Sequence, residues 1–148
     1  MTLDIRRILR ILPQRPPYLM LDRVLDLQPR RSARGIKAVT YNEPFFDGTH
    51  KSSPVLPPTL CLEAMFQLAC VLAYASDAID TTCQVFVFAG VEGAKFRHPV
   101  VPGDLLSVSI NVSQQRQSVW QCEGSVAVGE TACAEARLLT AIQDAPHA

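Results

Sequence analysis

Pro54-Val55-Leu56-Pro57-Pro58-Thr59-Leu60-Cys61-Leu62-Glu63-Ala64-Met65-Phe66-Gln67-Leu68-Ala69-Cys70-Val71-Leu72-Ala73-Tyr74 is the stretch that decides the fold. From about residue 59 to 75 it has the length of a helix and contains no Gly or Pro. It is apolar on nearly every face, where a surface helix would show a single stripe. Such a helix has to be buried, and the rest of the chain has to surround it. Its strongly polar side chains are Glu63 and Gln67, four residues apart and so stacked on one face. A carboxylate in the first turn would sit near the positive end of the helix dipole, which lowers the cost of burying its charge. Glu63 is therefore the first candidate site residue.

The chain of 148 residues fits one domain spanning 1–148, and 48% hydrophobic with 19% charged residues is an ordinary globular composition. Fourteen basic and fourteen acidic residues cancel, so no global field points to nucleic acid or to a membrane surface. The five cysteines are odd in number, form no CxxC pair, and two lie in the apolar helix. They read as reduced, packed thiols of a cytoplasmic protein. Residues 1–12 lack the apolar run of a signal peptide, and no segment approaches a membrane span. His98 and His147 are scattered without ligand spacing, so no metal site is expected.

Outward from the central helix, Asp4 can cap a short helix of about residues 4–12, with Ile5, Ile8, Leu9 and Leu12 on one face and Pro13, Pro16 and Pro17 forbidding its continuation. Residues 18–27 and 33–40 read as a hairpin about a polar turn. Residues 41–58 form a long connection with Gly48 and four prolines, and loops of that length are usually functional. After residue 82 come extended segments at 84–89, 93–100, 105–113, 118–128 and 131–142, punctuated by Gly and turn residues. One buried helix and a mostly antiparallel sheet of five or six strands make an α+β architecture, with the sheet curled around the helix.

Five segments carry a resemblance: Ile11-Leu12-Pro13-Gln14-Arg15, Leu21-Asp22-Arg23-Val24, Asn42-Glu43-Pro44-Phe45-Phe46-Asp47-Gly48, Leu62-Glu63-Ala64-Met65-Phe66-Gln67 and Ala94-Lys95-Phe96-Arg97-His98-Pro99-Val100-Val101-Pro102-Gly103-Asp104. In order and spacing the chain resembles the (3R)-3-hydroxyacyl-acyl-carrier-protein dehydratases, over about residues 11–139. The resemblance implies the hotdog fold and a place in fatty-acid or polyketide/polyene-type acyl-chain synthesis. It implies no cofactor, the substrate being carried on phosphopantetheine by an acyl carrier protein. Family enzymes work as dimers whose sheets join edge to edge, each site taking a histidine from one chain and a carboxylate from the other.

The family's active-site segment reads Gly-His-Phe-Pro-Gly-x-Pro, then Pro-Gly before the helix. Here Thr49 falls on the catalytic histidine and Pro58 on a glycine. In the family the histidine removes the proton next to the thioester carbonyl, the helix carboxyl protonates the leaving hydroxyl, and a backbone N–H at the helix start polarises the carbonyl. Threonine has no useful basicity without an activating base, and proline has no N–H. The resemblance thus implies a subunit that is catalytically degenerate by itself, binding an acyl chain or supporting an intact homologue as homodimer or heterodimer. Two enzyme alternatives stand beside it: a dehydratase using His50 and Glu63, and a hotdog thioesterase with Glu63 as general base.

By position in the motifs, Phe45, Phe46, Gly48, Pro57, Pro58, Gln67 and Phe96 are candidate substrate-binding residues. Lys95 and Arg97 are candidates for docking an acidic carrier protein, and Arg30, Arg31, Arg34 and Lys37 form a second basic cluster at the first hairpin. Cys61, beside the acid, has no histidine near it in the motif and reads as a packing residue.

Overall fold

A computed structural model describes residues 1–47 and 52–146. The elements follow in the order α1 (Ile5–Ile11), β1 (Arg23–Gln28), β2 (Ser32–Ala38), a 3-10 turn (Pro44–Phe46), α2 (Thr59–Ala75), β3 (Gln84–Phe96), β4 (Leu105–Arg116), β5 (Val119–Val128) and β6 (Thr131–Asp144). All six strands form one antiparallel sheet in the order β1-β2-β4-β5-β6-β3. The sheet wraps α2, which packs against β1, β2, β4, β5 and β6. This is the hotdog arrangement implied by the motifs.

Burial of α2 is nearly complete, as its composition requires: Ala64, Met65, Leu68, Ala69 and Val71 to Ala73 have no exposed surface. The sheet meets it with alternate residues, for instance Trp120, Cys122, Gly124 and Val126 of β5. Close approach is set at two glycines. A Cβ at Gly124 would lie 2.7 Å from the Met65 sulfur, and one at Gly35 would lie 3.0 Å from the Arg23 carbonyl oxygen and 3.4 Å from Leu68. Each fully buried Leu or Met on this interface contributes about 1.5–3 kcal/mol.

Four local expectations change. Residues 84–89 and 93–100 are not two strands: residues 84–96 run as the single β3, whose register against β6 shifts between Phe88 and Gly90 and between Glu92 and Lys95, and residues 97–100 are not strand. The register shifts mark bulges in a continuous edge strand, and at the second of them Gly93 takes a positive φ of 59° that a side chain would disfavour. Residues 18–22 precede β1 and are not strand. In α1, Asp4 caps the helix by accepting from the Arg7 amide. Ile8 and Leu12 are buried, but Ile5 is exposed and Leu3 takes the inner place through its bridge to Val24. Finally, Lys37 is no part of a surface patch. It is buried, paired with Glu43 at 2.8 Å, and donates to the Ala38 carbonyl.

The Lys37–Glu43 pair anchors the loop toward the site segment. Glu43 also accepts from the Thr40 amide (3.1 Å), so one carboxylate closes the turn from which Pro44–Phe46 departs. Phe46 is buried there, stacked 6.1 Å from Tyr41. Because both partners are shielded from water, Glu43→Ala leaves an uncompensated ammonium. We expect it to cost on the order of 3 kcal/mol, read from urea unfolding, and Lys37→Met added to Glu43→Leu to recover most of the loss.

Candidate functional site

Glu63 is the fifth residue of α2, one turn in from the helix start, so the first-turn dipole benefit expected from sequence does not reach it fully. Its position is fixed from the next turn. The Gln67 Nε2 donates to Glu63 Oε1 at 2.8 Å and to the Tyr18 carbonyl at 2.7 Å, while Gln67 Oε1 accepts from the Met20 amide at 2.8 Å. Gln67 is fully buried, and its amide is thereby clamped between the helix and the loop entering β1. A clamped amide presents its N–H to the carboxylate in one direction only. Glu63 itself is half-buried, and its Oε2 has no hydrogen-bond partner among the described residues. The stacking of 63 on 67 is legible in the i, i+4 spacing; the role of Tyr18 and Met20 is not, because they lie 49 and 47 residues away.

Pro58 has helical dihedrals (φ −59°, ψ −27°) and immediately precedes the first helical residue. Its carbonyl accepts from the Cys61 amide and that of Pro57 from the Leu60 amide. The helix therefore starts from two residues that donate no N–H. Gly48, Thr49 and His50 lie outside the described residues. Phe45 is half-buried with its ring 6.2 Å from Tyr18, and Phe96, at 46% exposure, stands near the end of β3.

One stripe of α2 faces the edge strand β3 and is buried at Phe66 and Cys70. Leu62, Phe66, Cys70 and Tyr74 recur every four residues and run from beside Glu63 to the helix end, where Tyr74 is 40% exposed. The edge strand β3 borders this stripe with aromatic rings: Phe66 stacks on Phe86 at 5.5 Å and meets Phe88 edge-on at 5.1 Å. Val85, Phe88, Val91 and Phe96 leave β3 with an exposed apolar edge. Lys95 and Arg97 both reach Glu135, at 3.9 and 2.7 Å, and Arg97 holds that carboxyl below the usual carboxylate range.

On the other side of the helix the structure gathers residues that the sequence left apart. Cys61 lies about 200° around the helix from Glu63 and faces a cavity of about 90 Å³ shared with Pro58, Phe96, His98 and Cys133. Burial pushes the Cys61 thiol up to about 11, and the neighbouring Cys133 adds to the rise. Burial alone takes Cys70 to about 12, and Cys122 goes to about 12 through burial with a smaller push from Glu123. Their ordinary value is 9.0. Raised folded-state values mean that the stability held by these neutral thiols is fully present below pH 9 and is lost as pH rises toward 11–12. Urea unfolding should therefore show stability falling between pH 9 and pH 11, and Cys70→Ala should flatten that slope.

The FabA-like domain matches residues 12–137. The chain belongs to the FabA-like family. Among relatives, it is 46% identical over 143 residues to the 3-hydroxyacyl-[acyl-carrier-protein] dehydratase FabZ of Sorangium cellulosum, covering 97% of this chain and 92% of that protein. It is 40% identical over 142 residues to the FabZ of Myxococcus xanthus, covering 96% and 93%. Its fold is similar to the dehydratase heterocomplex ApeI:P from Xenorhabdus doucetiae, with a TM-score of 0.75 at 19% identity over 90% of this chain and 89% of that one. Within the FabA-like match lie Glu63, Gln67, Pro58 and Thr49. Among the described residues no cluster of His, Cys, Asp or Glu is arranged to hold a metal ion, and no helix is long and apolar enough to cross a membrane.

Proposed function

We propose that this FabA-like chain is a 3-hydroxyacyl-carrier-protein dehydratase subunit that keeps the acid half of the site and has lost the base half. The observation that carries the reading is the clamped Glu63–Gln67 pair standing beside a helix start at Pro57-Pro58 that offers no N–H. A group able to protonate a leaving hydroxyl is held in place. The donor that would polarise a thioester carbonyl is missing at Pro58, and Thr49 supplies no base. The apolar stripe of α2 beside Glu63, with Phe66 packed on Phe86 and Phe88 of β3, suits contact with an acyl chain.

The apolar edge of β3 supports pairing with a second hotdog chain, since an open strand carrying Val85, Phe88 and Val91 is otherwise an aggregation hazard. A partner with an intact histidine would set its base against Glu63 and give one site per dimer with both base and acid, slowed by the N–H that Pro58 lacks. The ApeI:P structure is titled a dehydratase heterocomplex, a precedent in the same fold for unlike dehydratase chains. Lys95 and Arg97 would receive an acidic carrier protein, in competition with Glu135.

The test is to incubate the pure protein with a 3-hydroxyacyl carrier protein and follow loss of water by intact mass. No turnover alone, but turnover by the purified heterodimer with a homologue that keeps its histidine and has lost its own helix carboxylate, abolished by Glu63→Gln in this chain, is the expected pattern. Turnover by the chain alone, lost in His50→Ala, would replace the proposal with an active dehydratase using His50. Release of free thiol, abolished by Glu63→Gln, would replace it with a thioesterase.

A further inference from the structure

The cavity at the helix start shares Pro58 and Phe96 with the proposed site, but the dehydratase reading makes no use of the two cysteines that also line it. Two sulfurs, from the first turn of α2 and from the start of β6, line a single space of about 90 Å³. Both residues are closed to bulk solvent, Cys61 at 3% and Cys133 at 2% exposure. Both residues border this one pocket, and the Cys133 thiol donates to the Thr131 carbonyl at 3.6 Å. His98 lines the same cavity, and its Nδ1 lies 2.9 Å from the Pro99 carbonyl.

We propose that Cys61 and Cys133 are an oxidisable dithiol, which hydrogen peroxide closes to a disulfide tying the first turn of α2 to β6. In the first step one thiol, having lost its proton, attacks a peroxide oxygen; the O–O bond breaks, hydroxide leaves and takes up the proton as water, and a sulfenic acid remains. In the second step the other thiol attacks that sulfur, the S–OH bond breaks, and a second water leaves with the thiol's proton. Two electrons pass from the sulfurs to the peroxide, and the products are one disulfide and two waters. The bond would immobilise the backbone at Pro58 and Thr59, next to the site.

The test uses the full chain with Cys83→Ser, which removes the exposed thiol. The protein is treated with hydrogen peroxide at pH 7 and pH 9, unfolded in a maleimide, digested and mapped. The expected result is a linked Cys61–Cys133 peptide, with closure ~100-fold faster at pH 9 because the thiolate is the reacting form. Dithiothreitol should reverse it. Closing a loop of about 70 residues should also raise Tm. In Cys61→Ser no linked peptide should form, and Cys133 should persist as a sulfenic acid trapped by dimedone. Recovery of Cys61 and Cys133 without a link between them, or a link of either to Cys70 or Cys122, overturns the proposal. Should Cys61→Ser fail to fold, the peptide map of the Cys83→Ser protein decides alone.

Discussion

Thr49→His combined with Pro58→Gly is expected to convert the chain, by itself, into a working dehydratase. On the proposed reading two elements are missing from a site whose acid is already in place. A positioned general base is worth ~100 to ~10,000 in rate, and a single oxyanion donor ~100 to ~1000. Because such groups act together, their effects do not multiply cleanly, and a gain of at least ~10,000-fold over the parent is the threshold we set. Pro58 already has helical dihedrals, so glycine can take the same backbone path. It would supply the missing N–H at a stability cost of about 1 kcal/mol from the freer unfolded chain. The measurement is single-turnover loss of water from a 3-hydroxyacyl carrier protein, with Glu63→Gln in the double variant as the control. A double variant that folds, dimerises and stays inactive would show that the defect lies elsewhere than at these two positions. The single variants discriminate further: with Pro58 retained, Thr49→His alone should recover the base but leave the carbonyl unpolarised.

Gln67→Leu is expected to be the most damaging single substitution in the site, for structural and chemical reasons together. Leucine approximates the size of the side chain, so cavity formation is minor. What is lost is the partner of the Met20 amide, which is buried, and of the Tyr18 carbonyl, which is partly so. Each stranded backbone group costs about 1–3 kcal/mol, giving about 4 kcal/mol for the pair and a fall in Tm of ~8–16 °C. Glu63 simultaneously loses the amide that orients it. In a hybrid dimer with an intact homologue, kcat should fall more than KM rises, since the carboxyl remains present but is no longer aimed. Gln67→Glu separates the two effects: it keeps the acceptor for Met20 and replaces the donor toward Glu63 with a second carboxylate, which repels it. Activity should then fall further than stability.

Several features followed from local chemistry. Seventeen consecutive residues without Gly or Pro, apolar on all faces, permit only a buried helix, and strands of alternating polarity around it permit only a sheet with one inward face. Asp4 before Ile5–Ile11 is a cap wherever it is placed. The Glu63–Gln67 bond follows from helical spacing, which brings i and i+4 together regardless of context. The departures at Thr49 and Pro58 are matters of residue identity and needed no coordinates.

The remaining features depended on contacts between residues far apart in the chain. Gly90 and Gly93 look like turn signals, but pairing with β6 keeps β3 continuous because the ladder hydrogen bonds outweigh a local glycine preference. Lys37 looks like one more surface cation until Glu43, across the loop, draws it inward. Cys61 looks like a lone packed thiol until the start of β6 and the segment after β3 bring Cys133 and His98 to the same cavity. What the sequence by itself determined was therefore the buried helix, the sheet around it, and the chemical identity of what is missing from the site. What only the tertiary structure decided was which groups hold Glu63 and which groups meet on the far side of the helix. Spacing along a chain fixes neighbours within a helix or strand, whereas neighbours across the core are fixed by how the sheet closes.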